Sequence, residues 1–164
     1  MATIGPDLLG RLFDEHAPAL VLYARQWSDA PEDVVQEAFV QLARHRVEPD
    51  RVVPWLFRVV RNGAISAARR ERRLRRREAR ASTGEAWFEP DDDRIDAGHA
   101  ARLLAELAPE SREIIIARLW GGLTLEEVAR LQGCSTTTAH RRYWAGLARL
   151  QERLACPTES RETT

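Results

Sequence analysis

"TLEEVARLQGCSTTTAHRRYWAGL", residues 124–147, has the spacing of a helix-turn-helix. Thr124 and Glu127 make an S/T-x-x-E capping box, which opens the first helix. Ala129 is small where two helices must come close, and Gly133, four residues on, gives the turn a residue tolerant of positive φ. Ser135 is placed to cap the second helix. At about 100° per residue, Ala139, Tyr143, Gly146, Leu147, Leu150 and Leu154 share a narrow arc that we assign to the core. Thr137, His140, Arg141, Trp144 and Ala148 fall on the opposite side, a face suited to base edges and phosphates in a major groove. Arg142 and Arg149 lie to one flank, where they suit the DNA backbone. The competing reading is an ordinary helical hairpin with a solvated charged face.

Outward from this stretch, helical spacing persists. Ile114, Ile115 and Ile116 in "REIIIARLW" resemble a strand, but the run is short and lies between helix formers, so it reads as a buried helix. Pro6, Pro18, Pro31, Pro54 and Pro109 each fit the first turn of a helix, where a missing N–H does no harm. The expected helices are 6–16, 17–27, 31–46, 53–78, 97–108, 110–120, 124–132 and 135–155. The fold class is all-α. Composition breaks at "STGEAWFEPDDDRID", residues 82–96, where six carboxylates face Arg94 alone. With Gly84 and Pro90 it reads as an acidic linker between two small helical domains, the C-terminal one the helix-turn-helix.

The N-terminal lobe carries two kinds of surface. In "PEDVVQEAFVQLARHR", residues 31–46, Val34, Val35, Ala38, Phe39 and Leu42 form a buried stripe. Asp33, Gln36 and Glu37 cluster opposite it beside Val40, which suits either docking onto a protein or a merely solvated face. The following helix turns Leu56, Val60, Ala64 and Ala67 to a core. Its other side gathers Arg58, Arg61, Asn62, Arg69, Arg72, Arg73, Arg76 and Arg80. Residues 58–80 hold ten arginines, with only Glu71 and Glu78 to pair with them. A solvated basic face normally interleaves glutamate for i, i+4 pairing, so this stripe points to nucleic acid. Beyond Arg70 the arginines point all round, and the helix is expected to fray without a polyanion.

Totals restrict the remaining choices. The 164 residues are 44 % hydrophobic, enough for packed cores, and 25 basic residues balance 25 acidic ones. Every basic residue is arginine, with no lysine; because this holds chain-wide, position rather than residue type carries the functional reading. No apolar run approaches the ~20 residues that span a bilayer, and "MATIGPDLLGRLFDEH" lacks a secretory pattern, so no membrane insertion and a cytoplasmic location are expected. Cys134 and Cys156 are too few for a disulfide framework, and the four histidines share no ligand spacing with them. No catalytic residue, metal ligand or cofactor is expected.

In this order the segments resemble the extracytoplasmic-function sigma factors of bacterial RNA polymerase. "PEDVVQEAF" and "PWLFRVVRNGAISAARR" look like that family's region 2, and "LAPESREIIIARLWGGLTLEEVARLQGCSTTTAHRRYWAGLARL" like its region 4. The resemblance implies a region 2-like domain over 1–80, the linker over 81–96, a region 4-like domain over 97–155 and a polar tail over 156–164. It implies that Asp33, Gln36 and Glu37 dock on the β′ clamp helices of core polymerase, with region 4 on the β flap. It implies that the loop 46–53, with Asn62, captures a flipped −10 base, while Arg58, Arg61, Arg69, Arg72, Arg73 and Arg76 hold −10 DNA. Thr136, Thr137, His140, Arg141, Arg142 and Trp144 match the helix that reads the −35 element. The linker would run through the polymerase cleft, anchored by Trp87 and Phe88, and an anti-sigma factor would restrain the free protein. His140 and Ala145 stand where the family more often has basic residues, so no −35 preference carries over. The rivals are a stand-alone helix-turn-helix regulator without polymerase docking, an RNA-binding protein using the arginine segment, and a nucleic-acid enzyme.

Overall fold

The computed structural model describes residues 4–46, 49–78 and 95–155. Every regular element among them is helical. The expected linker up to Arg94, including Trp87 and Phe88, lies outside the described residues, as do Arg80 and the tail 156–164.

The helix α1 spans Pro6–Ala24, with Pro6 in its first turn. The expected break before Pro18 does not occur; Pro18 sits inside the helix. A proline there forfeits a backbone bond, at a cost of ~3 kcal/mol in a helix interior. Pro18 faces solvent, so the carbonyl it leaves unpaired one turn earlier can bond to water. Burial of Ala17, Ala19, Leu20, Tyr23 and Ala24 on the other side holds the axis through it. The helix α2, Pro31–Arg44, starts on Pro31 with Glu32 and Asp33 in its first turn and Arg44 in its last, the charges its dipole favours. It buries Val35, Ala38, Phe39 and Leu42. A 3₁₀ turn at Pro49–Arg51 leads into α3, Val52–Arg77. The first half of α3 buries Val52, Leu56, Phe57, Val60 and Ala64. Its second half is helical through the arginines to Arg77, with the cap N–H of Glu78 bonded to the Leu74 carbonyl.

The helix α4 spans Ile95–Ala105, two residues earlier than expected at its start. Arg112, only 9 % exposed, turns its guanidinium onto the end of α4, donating to the carbonyls of Leu104, Ala105 and Leu107 at 2.9, 3.1 and 3.0 Å. It supplies donors to carbonyls that the end of a helix leaves without internal partners. The isoleucine run is helical as read: α5, Pro109–Ile115, passes into a π-helical turn at Ile116–Trp120. Ile114, Ile115 and Ile116 are fully buried, whereas Leu119 and Trp120 are exposed. Two further helices, α6 at Leu125–Gln132 and α7 at Thr136–Ala155, complete the described residues.

Helices α1–α3 pack on one another, as do α5–α7 with α4 against α7, and one continuous cluster of buried side chains runs through both groups. The groups meet where α1 touches the π turn and α3 touches α6. At this junction Gly121 lies against Phe57: a Cβ on Gly121 would stand 2.7 Å from the ring Cε2 and 2.6 Å from the Ala117 carbonyl. Only glycine fits there.

Candidate nucleic-acid interface

The helix-turn-helix is built by local bonds, as its spacing requires. Thr124 Oγ1 accepts from the Glu127 N–H at 3.2 Å, and Glu127 Oε2 accepts from the Thr124 N–H at 2.8 Å. Gly133 has φ +67°, the left-handed turn that ends α6. The Ser135 hydroxyl accepts from the Thr138 N–H at 3.1 Å and so caps α7. Ala139 and Gly146 are buried, and Tyr143, Leu147 and Leu150 are half-buried. Leu154 departs from the expected core arc: it is 65 % exposed, one residue before the end of α7.

On the outer face Thr136, Thr137, His140, Arg141 and Trp144 are all exposed. Trp144, at 62 %, projects into solvent with its ring edge-on to Tyr143. Arg142 differs. It is half-buried and donates to Gln132 Oε1 at 3.0 Å. Arg149 pairs with Glu152 at 3.3 Å on the surface.

On α2, Asp33, Gln36 and Glu37 are exposed together beside Val40, which is 42 % exposed. On α3, Arg58, Asn62, Arg69, Arg72, Arg73 and Arg76 are exposed. A hydrogen bond with Asp29 raises the Glu71 carboxyl from its ordinary value, with burial and the Asp29 charge adding to this and Arg75 opposing it.

Arg61 is the correction to the stripe. Rather than facing solvent, it is half-buried between the helix groups, with its guanidinium 5.6 Å from the Trp27 ring centroid. Its Nε donates to Glu113 Oε1 at 2.7 Å. The Tyr23 hydroxyl donates to the same oxygen at 2.6 Å, and Gln132 Nε2 donates to Glu113 Oε2 at 3.1 Å. Glu113 is 5 % exposed and Tyr23 fully buried. Burial, reinforced by the Glu113 carboxylate, pushes the Tyr23 hydroxyl well above its ordinary 10.0, which keeps it a donor. Burial acts to lower the Arg61 guanidinium, but Glu113 outweighs it and the group lies above its usual value. Helical projection identifies a face without saying that another helix covers it. Glu113 had a readable signal: a carboxylate among fully buried isoleucines implies partners.

A cleft of about 570 Å³ opens beside this junction. One wall is His45, Arg46, Asp50, Arg51, Pro54, Trp55 and Arg58; the other is Leu123, Glu127, Arg130 and Leu131. The described part of the 46–53 loop therefore faces the first helix of the helix-turn-helix.

Residues 12–74 match Sigma-70 region 2, and residues 100–150 match Sigma-70, region 4. The RNA polymerase sigma factor CarQ of Myxococcus xanthus is 32 % identical over 157 residues, covering 90 % of each chain. This chain is a sigma factor of the extracytoplasmic-function group. It directs RNA polymerase to promoters. Two solved structures share its fold. RpoE of Bartonella quintana, in complex with the anti-sigma factor NepR, aligns with a TM-score of 0.66 at 26 % identity, over 92 % of this chain and 98 % of that one. CnrH, in complex with the cytosolic domain of CnrY, aligns at 0.61 and 25 %, over 92 % and 90 %. Among the described residues of the sigma factor, no helix is long and apolar enough to cross a membrane.

Proposed function

We propose that this sigma factor divides promoter recognition between its helix groups, with residues 1–80 serving the −10 element, 97–155 the −35 element, and 81–96 tethering them through the polymerase. The observation that carries this is one chain presenting two separate exposed faces suited to DNA: the arginines of α3, and the outer side of the Ser135-capped α7 with His140, Arg141 and Trp144. Arg58, Arg69, Arg72, Arg73 and Arg76 grip the opened strand and adjacent duplex, and Asn62 with the 46–53 loop holds an extruded base. Extrusion costs a few kcal/mol, which contacts of this kind offset without bond chemistry. The protein acts as an initiation subunit rather than an enzyme, in the cytoplasm where its polymerase works. On α7, Thr136, Thr137, His140, Arg141 and Trp144 reach base edges.

Asp33, Gln36 and Glu37 dock onto the β′ clamp helices, and the C-terminal group onto the β flap. The solved RpoE bound to the anti-sigma factor NepR supports an anti-sigma partner for this chain as well. The test is run-off transcription with bacterial core enzyme, in which start-site selection appears only when the chain is added. An Asp33→Arg, Glu37→Arg variant loses capture by core enzyme while remaining folded, since both side chains are exposed, with only the small fall in melting temperature that reversing a first-turn charge brings. Undiminished capture by that variant counts against the docking face.

A further inference from the structure

Three of the four bonds described at the helix junction converge on one carboxylate, and the fourth extends from it. We propose that Glu113 acts as an internal substitute for a DNA phosphate, holding a closed form of the free chain in which Arg61 and Arg142 are unavailable to nucleic acid. This rests on the function proposed above, because Arg61 and Arg142, which the family resemblance places at the −10 and −35 elements, can serve the two promoter-reading faces only once released.

Glu113 has both oxygens engaged from different helices: Tyr23 of α1 and Arg61 of α3 on Oε1, and Gln132 of α6 on Oε2. Gln132 relays the contact to Arg142 of α7 through its other amide atom. One anion thus fixes a −10 guanidinium directly and a −35 guanidinium through one intermediary. Its 2.7 Å bond to Arg61 is the short, charge-assisted kind that arginine makes with phosphate oxygens. Arg46, Asp50 and Arg51 of the 46–53 loop face α6 across the same cleft, so the closed form also narrows access to this described part of the proposed base-capturing segment.

The latch suits reversible use. A buried ion pair loses much of its attraction to desolvation, so an intact pair sets the register of an interface more than it adds stability. Removing one partner is different, because the other charge is left without compensation. Glu113→Gln keeps the shape but removes the anion facing Arg61. The apparent affinity of a chain for DNA scales with the fraction in the competent form.

The test uses the full chain without polymerase and a labelled duplex of unrelated sequence. Each guanidinium that neutralises a phosphate steepens log Kobs against log salt by about 0.9. Glu113→Gln is expected to steepen the slope by up to ~1.8, for two released arginines, and to bind about tenfold tighter at low salt, equivalent to ~1.4 kcal/mol. Its radius of gyration by small-angle scattering exceeds that of the wild type. Gln132→Leu releases Arg142 alone and steepens the slope by about half as much. Should Glu113→Gln fail to fold, Tyr23→Phe removes one donor while keeping the charge pair, and shifts both readings in the same direction by less.

Folded variants with unchanged slope and unchanged size overturn the latch. Run-off transcription separates the two claims: saturating core enzyme gives wild-type yield with Glu113→Gln if the sigma assignments hold. Loss of promoter selectivity in wild type and variant alike defeats those assignments and leaves the size measurement to judge the latch.

Discussion

Replacing Arg72, Arg73 and Arg76 together by alanine tests the α3 stripe where the structure is most explicit. All three are exposed on the part of α3 beyond its buried residues, so substitution removes charge without opening a cavity. Alanine is the strongest helix former, which keeps the backbone in place. If each side chain neutralises one phosphate, the salt slope of duplex binding falls by about 2.7. Between about 50 and 200 mM salt, a fourfold change, that difference amounts to a factor of about 40 in how steeply affinity declines. The mutation also removes the like-charged i, i+4 neighbours Arg69–Arg73, Arg72–Arg76 and Arg73–Arg77, each opposing the helix by ~0.2–0.5 kcal/mol. The joint expectation is weaker, less salt-dependent binding with an equal or slightly higher melting temperature. Fluorescence anisotropy across a salt series, paired with thermal denaturation, reads both. An unchanged slope with intact folding refutes a phosphate role for these arginines.

Thr124→Ala removes the hydroxyl half of the α6 capping box and should lower stability by about 1 kcal/mol in urea unfolding. Arg141→Ala should cost about 1–3 kcal/mol on the native −35 element and less on other sequences; an equal loss on every duplex assigns it to the backbone instead. The buried Tyr23 hydroxyl contributes stability that is fully present below its ordinary 10.0 and is lost as pH rises toward its higher folded value. Urea midpoints of the wild type should therefore fall more steeply above that pH than those of Tyr23→Phe.

Features governed by neighbours in sequence were legible without coordinates. Thr124 with Glu127, Gly133 and Ser135 each act within four residues, so their roles follow from spacing alone. The α2 stripe was legible because its face repeats with the helical period, leaving Asp33, Gln36 and Glu37 outside. Pro18 was misread because the preference for a first helical turn is local, while burial of five neighbours along α1 is tertiary. Arg61 was misplaced for a related reason: its partner lies 52 residues away, and Tyr23 lies 90 residues from the same carboxylate. Amphipathic projection separates the sides of a helix without stating which side a distant segment occupies.

An all-arginine surface has a further consequence. A guanidinium stays protonated throughout the range in which cells live, and it offers no target for the acylation that silences lysine. The attraction of this protein for polyanions therefore cannot be dimmed by ordinary acidity changes or by lysine-directed enzymes. Shape is left as the means of control: what hides or uncovers each cation decides when it is felt.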